Sequence, residues 1–452
     1  MTTATSSLHT FGRGGIHPGP HKEATASREI EDLPTPSEVV LPLLQHLGEP
    51  AEPCVKKGEM VRRGQKIAEG GKTGVPLHAP ISGKIKPVDK RPHPTMAIAM
   101  SLAIGANVDA GPELEFPEDP EWRNLPLEES LSRVREAGIV GLGGAAFPTW
   151  RKLEFARAAK VDLLVMNGAE CEPYLTSDYR VMLAYPTEIV EGSVLIAKIA
   201  GAKKVLIGVE SDKPDAIEAI GKAAAALTDR SIPVEVVPCV ARYPQGAEKQ
   251  LVFAVSGRTV PARQLPSAVG VLVQNVATAQ AVYDALRYRK PLLDRILTVT
   301  GPGIVQPRNV RAPLGASLAD IVEFCGGIKP ETHRMVAGGP MMGRSLPRLD
   351  VPLIKGMNGL VMLTGRGPLE DGFGACIRCG RCLDACPLGL EPDQVSVRVE
   401  VGRTLDCEPH GALDCYECGC CSYVCPSSRP LVQFMQVAKS ALRRAAATRS
   451  AS

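Results

Sequence analysis

The chain has 452 residues, 44% of them hydrophobic, with fourteen cysteines and a formal net charge of +3. That length suits about three domains of roughly 100–200 residues each, and so small a charge gives no basic face for nucleic acid. Residues 1–20 lack the apolar stretch of a signal peptide, and no apolar run reaches the roughly 18 residues of a membrane span, so a cytoplasmic chain without its own span is expected.

Residues 1–120 are dense in Gly and Pro, and the stretch CVKKGEMVRRGQKIAEGGKTGVPLHAPISGKIK (54–86) alternates short apolar segments with Gly turns. This predicts a small all-β unit. It looks like a biotinyl/lipoyl barrel-sandwich with Lys72 near the hairpin that carries the modified lysine in such carriers. The flanks of Lys72 (GGKTG) depart from those carriers, so a structural or docking element is expected. A Pro-rich linker (116–126) follows.

Over 127–290, the buried-strand runs VDLLVM (161–166) and KVLIGV (204–209) alternate with helical stretches at 187–200 and 215–227, predicting an α/β layer. Short strands and turns return over 291–364, predicting a β-rich unit. A loop at 365–373 opens a cysteine region (365–435), and a basic, Ala-rich helical tail closes the chain (436–452). The predicted class is therefore multidomain, α/β and β, with a C-terminal metal module.

Two cysteine runs carry the strongest signal: Cys376-x2-Cys379-x2-Cys382-x3-Cys386-Pro387 and Cys415-x2-Cys418-x2-Cys421-x3-Cys425-Pro426. Three thiolates at this spacing wrap one [4Fe–4S] cubane, and the fourth reaches the other cluster. Cys376, Cys379, Cys382 and Cys425 are thus assigned to one cluster, and Cys415, Cys418, Cys421 and Cys386 to the other. Zinc sites come as separated pairs instead. The intervening PDQVSVRVEVGRTL (392–405) reads as helical, favouring a helical ferredoxin-like module. Cys420 is off the spacing and reads as a spectator. Cys54, Cys171, Cys239, Cys325 and Cys407 read as small buried residues.

Residues 138–152 (GIVGLGGAAFPTWRK) form a Gly-rich loop that suits a phosphate, though it is neither a Walker loop nor a GxGxxG turn. Asn167, Glu170 and Glu172 follow the strand VDLLVM, at the end of a sheet where ligands bind; a solvated turn is the plainer reading. YPQGAEK (243–249) and QNVAT (274–278) are two further polar patches.

Taken in order, GLGGAAFPTWRKL, MNGAECEPYLTSD, YPQGAEKQL and QNVATA resemble the flavin- and NADH-binding subunit of respiratory complex I. With FGRGGIHP and LPLLQHLGEPAEPCVKKGEMVRRGQ, nearly the whole chain resembles more closely the RnfC family, found in the Rnf-type ion-translocating oxidoreductases. The resemblance implies noncovalent FMN exchanging hydride with NAD(H), two [4Fe–4S] clusters, and a soluble-ligand-binding β-grasp unit between flavin and cluster domains. It also implies other subunits of the complex, including membrane subunits, and a ferredoxin-like carrier as partners. The implied location is peripheral, at the cytoplasmic face of the cell membrane.

Carried over by position, Gly141, Gly143, Gly144, Lys152, Asn167, Asn275 and Thr278 match FMN contacts, with Glu170 beside them. Phe147, Glu172 and Glu248 match positions near the nicotinamide. Lys152 would stabilise a reduced flavin anion, or be a plain surface lysine. Where the complex I pattern has GGAGF, this chain places Ala146, whose methyl could crowd the flavin. Two other readings stand beside this one: a soluble flavin/Fe–S reductase such as a cobalamin reductase, and a flavin-free electron wire.

Overall fold

The computed structural model describes residues 8–365, 367 and 372–451, so part of the loop expected at 365–373 lies outside the described residues. The expected β unit is built from a five-stranded sheet (Glu38–Pro42, Ile98–Ala106, Gly83–Ile85, Met60–Val61, with Asp89–Pro92 on Ile98–Ala106) and a three-stranded one (Glu52–Pro53, Lys66–Glu69, Leu77–His78). Val39, Leu41, Ile67, Leu77, Leu102 and Ile104 fill the space between them.

The hairpin tip that carries Lys72 docks on the next unit. Arg135 donates to Gly71 O at 2.7 Å, and the Trp150 indole N–H donates to Gly74 O at 3.1 Å. Trp150→Phe removes this buried bond, worth about 1 kcal/mol. Urea denaturation is expected to report that loss, with faster amide exchange confined to residues 71–75.

The α/β unit has four parallel strands in the order Val234–Cys239, Lys204–Glu210, Leu163–Gly168, Val271–Asn275. LLVM (163–166) reads as a continuous apolar run because both faces of its strand are covered. Leu163 and Val165 pack with Leu251, Val252 and Val255 of helix Glu248–Ser256. Leu164 and Met166 face the opposite way, into a cluster with helices Pro186–Ala200 and Val276–Tyr288.

The next unit is a β-grasp sheet in which Asp294–Thr300 and Gly359–Thr364 lie parallel at the centre, with helix Leu318–Phe324 packed on the sheet. Its edge strand comes from far away in sequence: Ile30–Asp32 pairs in parallel with residues 309–311. Residues 8–33 therefore do not stay with the N-terminal barrel. They strap the later units together, with Ile16 bridging to Tyr243 and Gly15 N donating to Ala385 O at 2.9 Å.

The cysteine module is helical, as its insertion predicts. Pro392–Glu400 packs on the long helix Leu431–Ala451 through Val395, Met435, Ala438 and Leu442.

Candidate functional site

The four parallel strands end at Gly168, Glu210, Cys239 and Asn275, and the Gly-rich loop closes over that edge. Its base is fixed by the Val140–Pro148 bridge and by Gly141 N donating to Phe147 O at 2.8 Å. Leu142 N donates to the buried Thr278 hydroxyl at 3.0 Å.

The crest, Gly143, Gly144 and Ala145, is exposed, and among the described residues its three amides have no protein acceptor. Gly144 has φ +112°, and a Cβ there would meet nothing within 4 Å; a Cβ on Gly143 would lie 3.2 Å from Asn275 Cβ. Unpaired amides beside open space form a nest for an anion, so this loop fits the phosphate of a flavin nucleotide. Ala146 takes φ +49°, and its methyl would lie 3.1 Å from a Cβ on Gly356. The methyl that departs from the complex I pattern is thus turned towards the β-grasp unit.

The other singled-out polar residues surround this loop. Asn167 donates to Gly246 O at 2.8 Å. Asn275 caps helix Val276–Tyr288 through Ala277 N (2.9 Å) and donates to Asp178 at 2.6 Å. The Lys152 ammonium pairs with Glu248 at 2.8 Å, both partly exposed, and Phe147 is half-buried.

Glu170 and Glu172 diverge. Glu170 is buried and accepts from Ser177 Oγ and from the amides of Asp178 and Tyr179, which caps helix Ser177–Ala184. Glu172 accepts the amides of Met341 (3.0 Å) and Met342 (2.8 Å), tying the α/β unit to a β-grasp loop. Burial pushes the Glu172 carboxyl up to about 7, against the two amides that favour its charged form. A carboxyl raised in the folded state favours folding below its unfolded value of 4.5, and that contribution is lost as pH rises through about 7. Glu172→Gln is expected to show a flatter fall of stability between about pH 5 and about pH 8 than the unsubstituted chain, in urea titrations at each pH.

The two cysteine runs coil alike. Arg378 and Gly380 in the first, Glu417 and Gly419 in the second, occupy the left-handed region at matching positions (φ +53°, +76°, +65° and +84°). Each loop then starts a short helix, Arg381–Ala385 or Cys420–Tyr423. Cys376, Cys379, Cys382 and Cys425 line one cavity together, with Cys379 exposed. Cys386, Cys415, Cys418 and Cys421 stand together in a second group, with the buried Cys420 among them. The spacing assigns these same two sets, crossed at the fourth cysteine, to two [4Fe–4S] clusters.

The second set abuts the α/β unit. Tyr243 OH donates to Cys418 O at 2.6 Å, and Gln250 donates to Pro387 O at 3.3 Å. Cys171, at the end of the crevice, packs with Tyr243, Cys420 and Cys418.

The whole chain aligns with curated relatives. It is 40% identical, over 96% of its length and 94% of the other's, to the C subunit of the Proton-translocating ferredoxin:NAD(+) oxidoreductase complex of Clostridium ljungdahlii. The chain belongs to the RnfC family of the Rnf-type ion-translocating oxidoreductases. Other members of that family agree: identity is 42% to the C subunit of the Ion-translocating oxidoreductase complex of Rhodobacter capsulatus, over 98% of this chain and 85% of that one. The corresponding subunit of the Na(+)-translocating ferredoxin:NAD(+) oxidoreductase complex of Acetobacterium woodii is 39% identical, over 95% of this chain and 97% of that one.

Family models match unit by unit: the RnfC Barrel sandwich hybrid domain at residues 9–109, the Nuo51 FMN-binding domain at 134–284 and the SLBB domain at 296–345. The fold also resembles a chain of an NAD+-reducing [NiFe]-hydrogenase in the H2-reduced state (20% identity, TM-score 0.51, covering 72% of this chain and 64% of that chain). Membership of the RnfC family sets the soluble-reductase and flavin-free readings aside.

Two residues of this RnfC-family site escape sequence reasoning, and a third is misplaced elsewhere in the chain. Cys171 reads in the sequence as a small buried residue but lies against the cluster loop. The hydroxyl of Tyr243 bonds the two units together, and the motif YPQGAEK flags the segment without the role. Cys54, read as buried, is exposed at the barrel surface because the barrel core closes without it.

Proposed function

We propose that the chain is the NAD(H)-facing subunit of a membrane-associated, ion-translocating complex, passing electrons between NAD(H) and a ferredoxin-type carrier while partner subunits move the ions. FMN supplies the conversion between hydride and single electrons that joins a nicotinamide to iron–sulfur clusters.

The residues around it divide the work. The amides of Gly143, Gly144 and Ala145 receive the phosphate, with Gly141 shaping the loop and Asn167, Lys152, Asn275 and Thr278 around it. Phe147, Glu172 and Glu248 border the nicotinamide side. Cys386, Cys415, Cys418 and Cys421 hold the inner cluster and Cys376, Cys379, Cys382 and Cys425 the outer one, nearest the surface where a partner can reach it.

The observation that carries this reading is the Tyr243–Cys418 hydrogen bond, which seats one four-cysteine set against the loop that ends the flavin crevice. No helix among the described residues is long and apolar enough to cross a membrane; the proposed attachment is through other subunits, at the cytoplasmic face. Anaerobic purification tests the reading. FMN near one and iron near about eight per chain (two clusters of four), with the visible absorbance bleached by NADH, is the expected result. Iron without flavin, and no response to NADH, would overturn it.

A further inference from the structure

Behind the Gly-rich loop, the β-grasp unit inserts two buried basic side chains. Arg295, 3% exposed, donates Nε to Met357 O at 2.9 Å and Nη2 to Leu142 O. Lys355, 1% exposed, donates to Gly138 O at 2.6 Å and to Pro76 O at 3.1 Å, and its own amide is held by Gln45. Between them, Gly356 lies directly under the crest, where a Cβ would be 3.1 Å from Ala146 Cβ and 3.3 Å from Gly144 O. Three units therefore meet behind the loop: the barrel through Pro76 and Gln45, the flavin unit through Gly138 and Leu142, and the β-grasp unit through Arg295 and Lys355.

We propose that Arg295 and Lys355 are positioning residues for the flavin: they draw the Leu142 and Gly138 carbonyls backwards, hold the crest amides outward, and set positive charge behind the site. This rests on the loop being the FMN site. A buried donor bonded to a carbonyl is costly to leave unmade, so the loop is locked in its anion-binding shape before the cofactor arrives. Charge behind the loop, in a medium of low polarity, favours added electrons on a ligand in front of it.

The two residues differ in how constant that charge is. Burial pulls Arg295 down to about 10, while the carboxylates of Asp178 and Glu170 face it and favour its charged form. It stays charged at neutral pH. Burial pulls Lys355 down to about 7. The titratable groups facing it are His46 and His78 of the barrel, held by burial at about 4 and about 3, with Lys66 beyond His78. Both histidines are neutral near pH 7, so Lys355 gains its charge as pH falls through about 7.

The test compares the full chain, reloaded with FMN, as the unsubstituted protein, Lys355→Met, Arg295→Met and Gly356→Ala. The last leaves both charges in place and only crowds the crest, so it serves if a buried-charge variant fails to fold; iron content reports folding of the cluster module. FMN dissociation constants, from flavin fluorescence, are expected to rise about 10- to 100-fold in the two charge variants and several-fold in Gly356→Ala. The flavin midpoint potential of Lys355→Met is expected to be more negative than that of the unsubstituted protein at about pH 6, with the difference vanishing at about pH 8.5. Unchanged affinity in both charge variants (or in Gly356→Ala, where those fail to fold), or a pH-independent potential difference, would overturn the proposal. If the unsubstituted protein itself bound no FMN, the underlying reading would fail instead.

Discussion

Cys386→Ala is expected to remove the inner cluster, although Cys386 belongs to the first run in sequence. Iron should fall from about eight to about four per chain, and the cluster that survives should be the outer one, held by Cys376, Cys379, Cys382 and Cys425. The reason is geometric. Residues 381–385 form a short helix that carries Cys386 away from its own loop, so that it stands with Cys418, Cys415 and Cys421. The Leu390 amide donates to the Cys386 sulfur at 3.3 Å and holds it there. Since the inner set is the one bonded to the flavin unit through Tyr243, the variant should keep NADH-dependent bleaching of the flavin while reduction of the remaining cluster slows by orders of magnitude. Electron paramagnetic resonance of rapidly frozen samples, with iron analysis, reads both effects. Loss of the outer cluster instead would show that the two runs do not exchange their fourth ligand.

Much of this arrangement is legible in the sequence because its chemistry is local. Four cysteines at fixed spacing with a following proline need no distant partner to be recognised. A parallel strand covered on both faces writes itself as a solid apolar run, as in residues 163–166. What stays hidden depends on residues far apart in the chain. The strap at 8–33 is polar and without periodicity, and its strand exists only because residues 309–311 offer an edge. Glu170 and Glu172 stand two residues apart on one turn, yet one caps the next helix and the other reaches Met341, and no spacing rule separates them. Arg295 and Lys355 look like ordinary charges at the margins of apolar segments; only the assembled fold shows that both are buried behind the same loop.

Gly144→Val is expected to abolish FMN retention while leaving iron content unchanged. Gly144 adopts φ +112°, a conformation closed to a β-branched residue, so the crest would have to rebuild. There is no steric obstacle that a smaller side chain would avoid, since a Cβ meets nothing within 4 Å; the whole cost lies in the backbone. Gly144→Ala should therefore already weaken binding, because the strain of a non-glycine residue there, about 1–3 kcal/mol, is about 5- to 150-fold in affinity if the alanine-bearing crest, unlike the native one, relaxes when empty. Ala146→Gly works in the opposite direction. Ala146 sits at φ +49°, so glycine relieves strain, and its methyl faces Gly356 and not the open side. Flavin content on isolation, followed by titration of the apo-protein with FMN, should rank the chains Ala146→Gly at or above the unsubstituted protein, then Gly144→Ala, then Gly144→Val. Equal retention by all four would mean that the phosphate is held elsewhere on the crevice and that the crest amides are not its ligands.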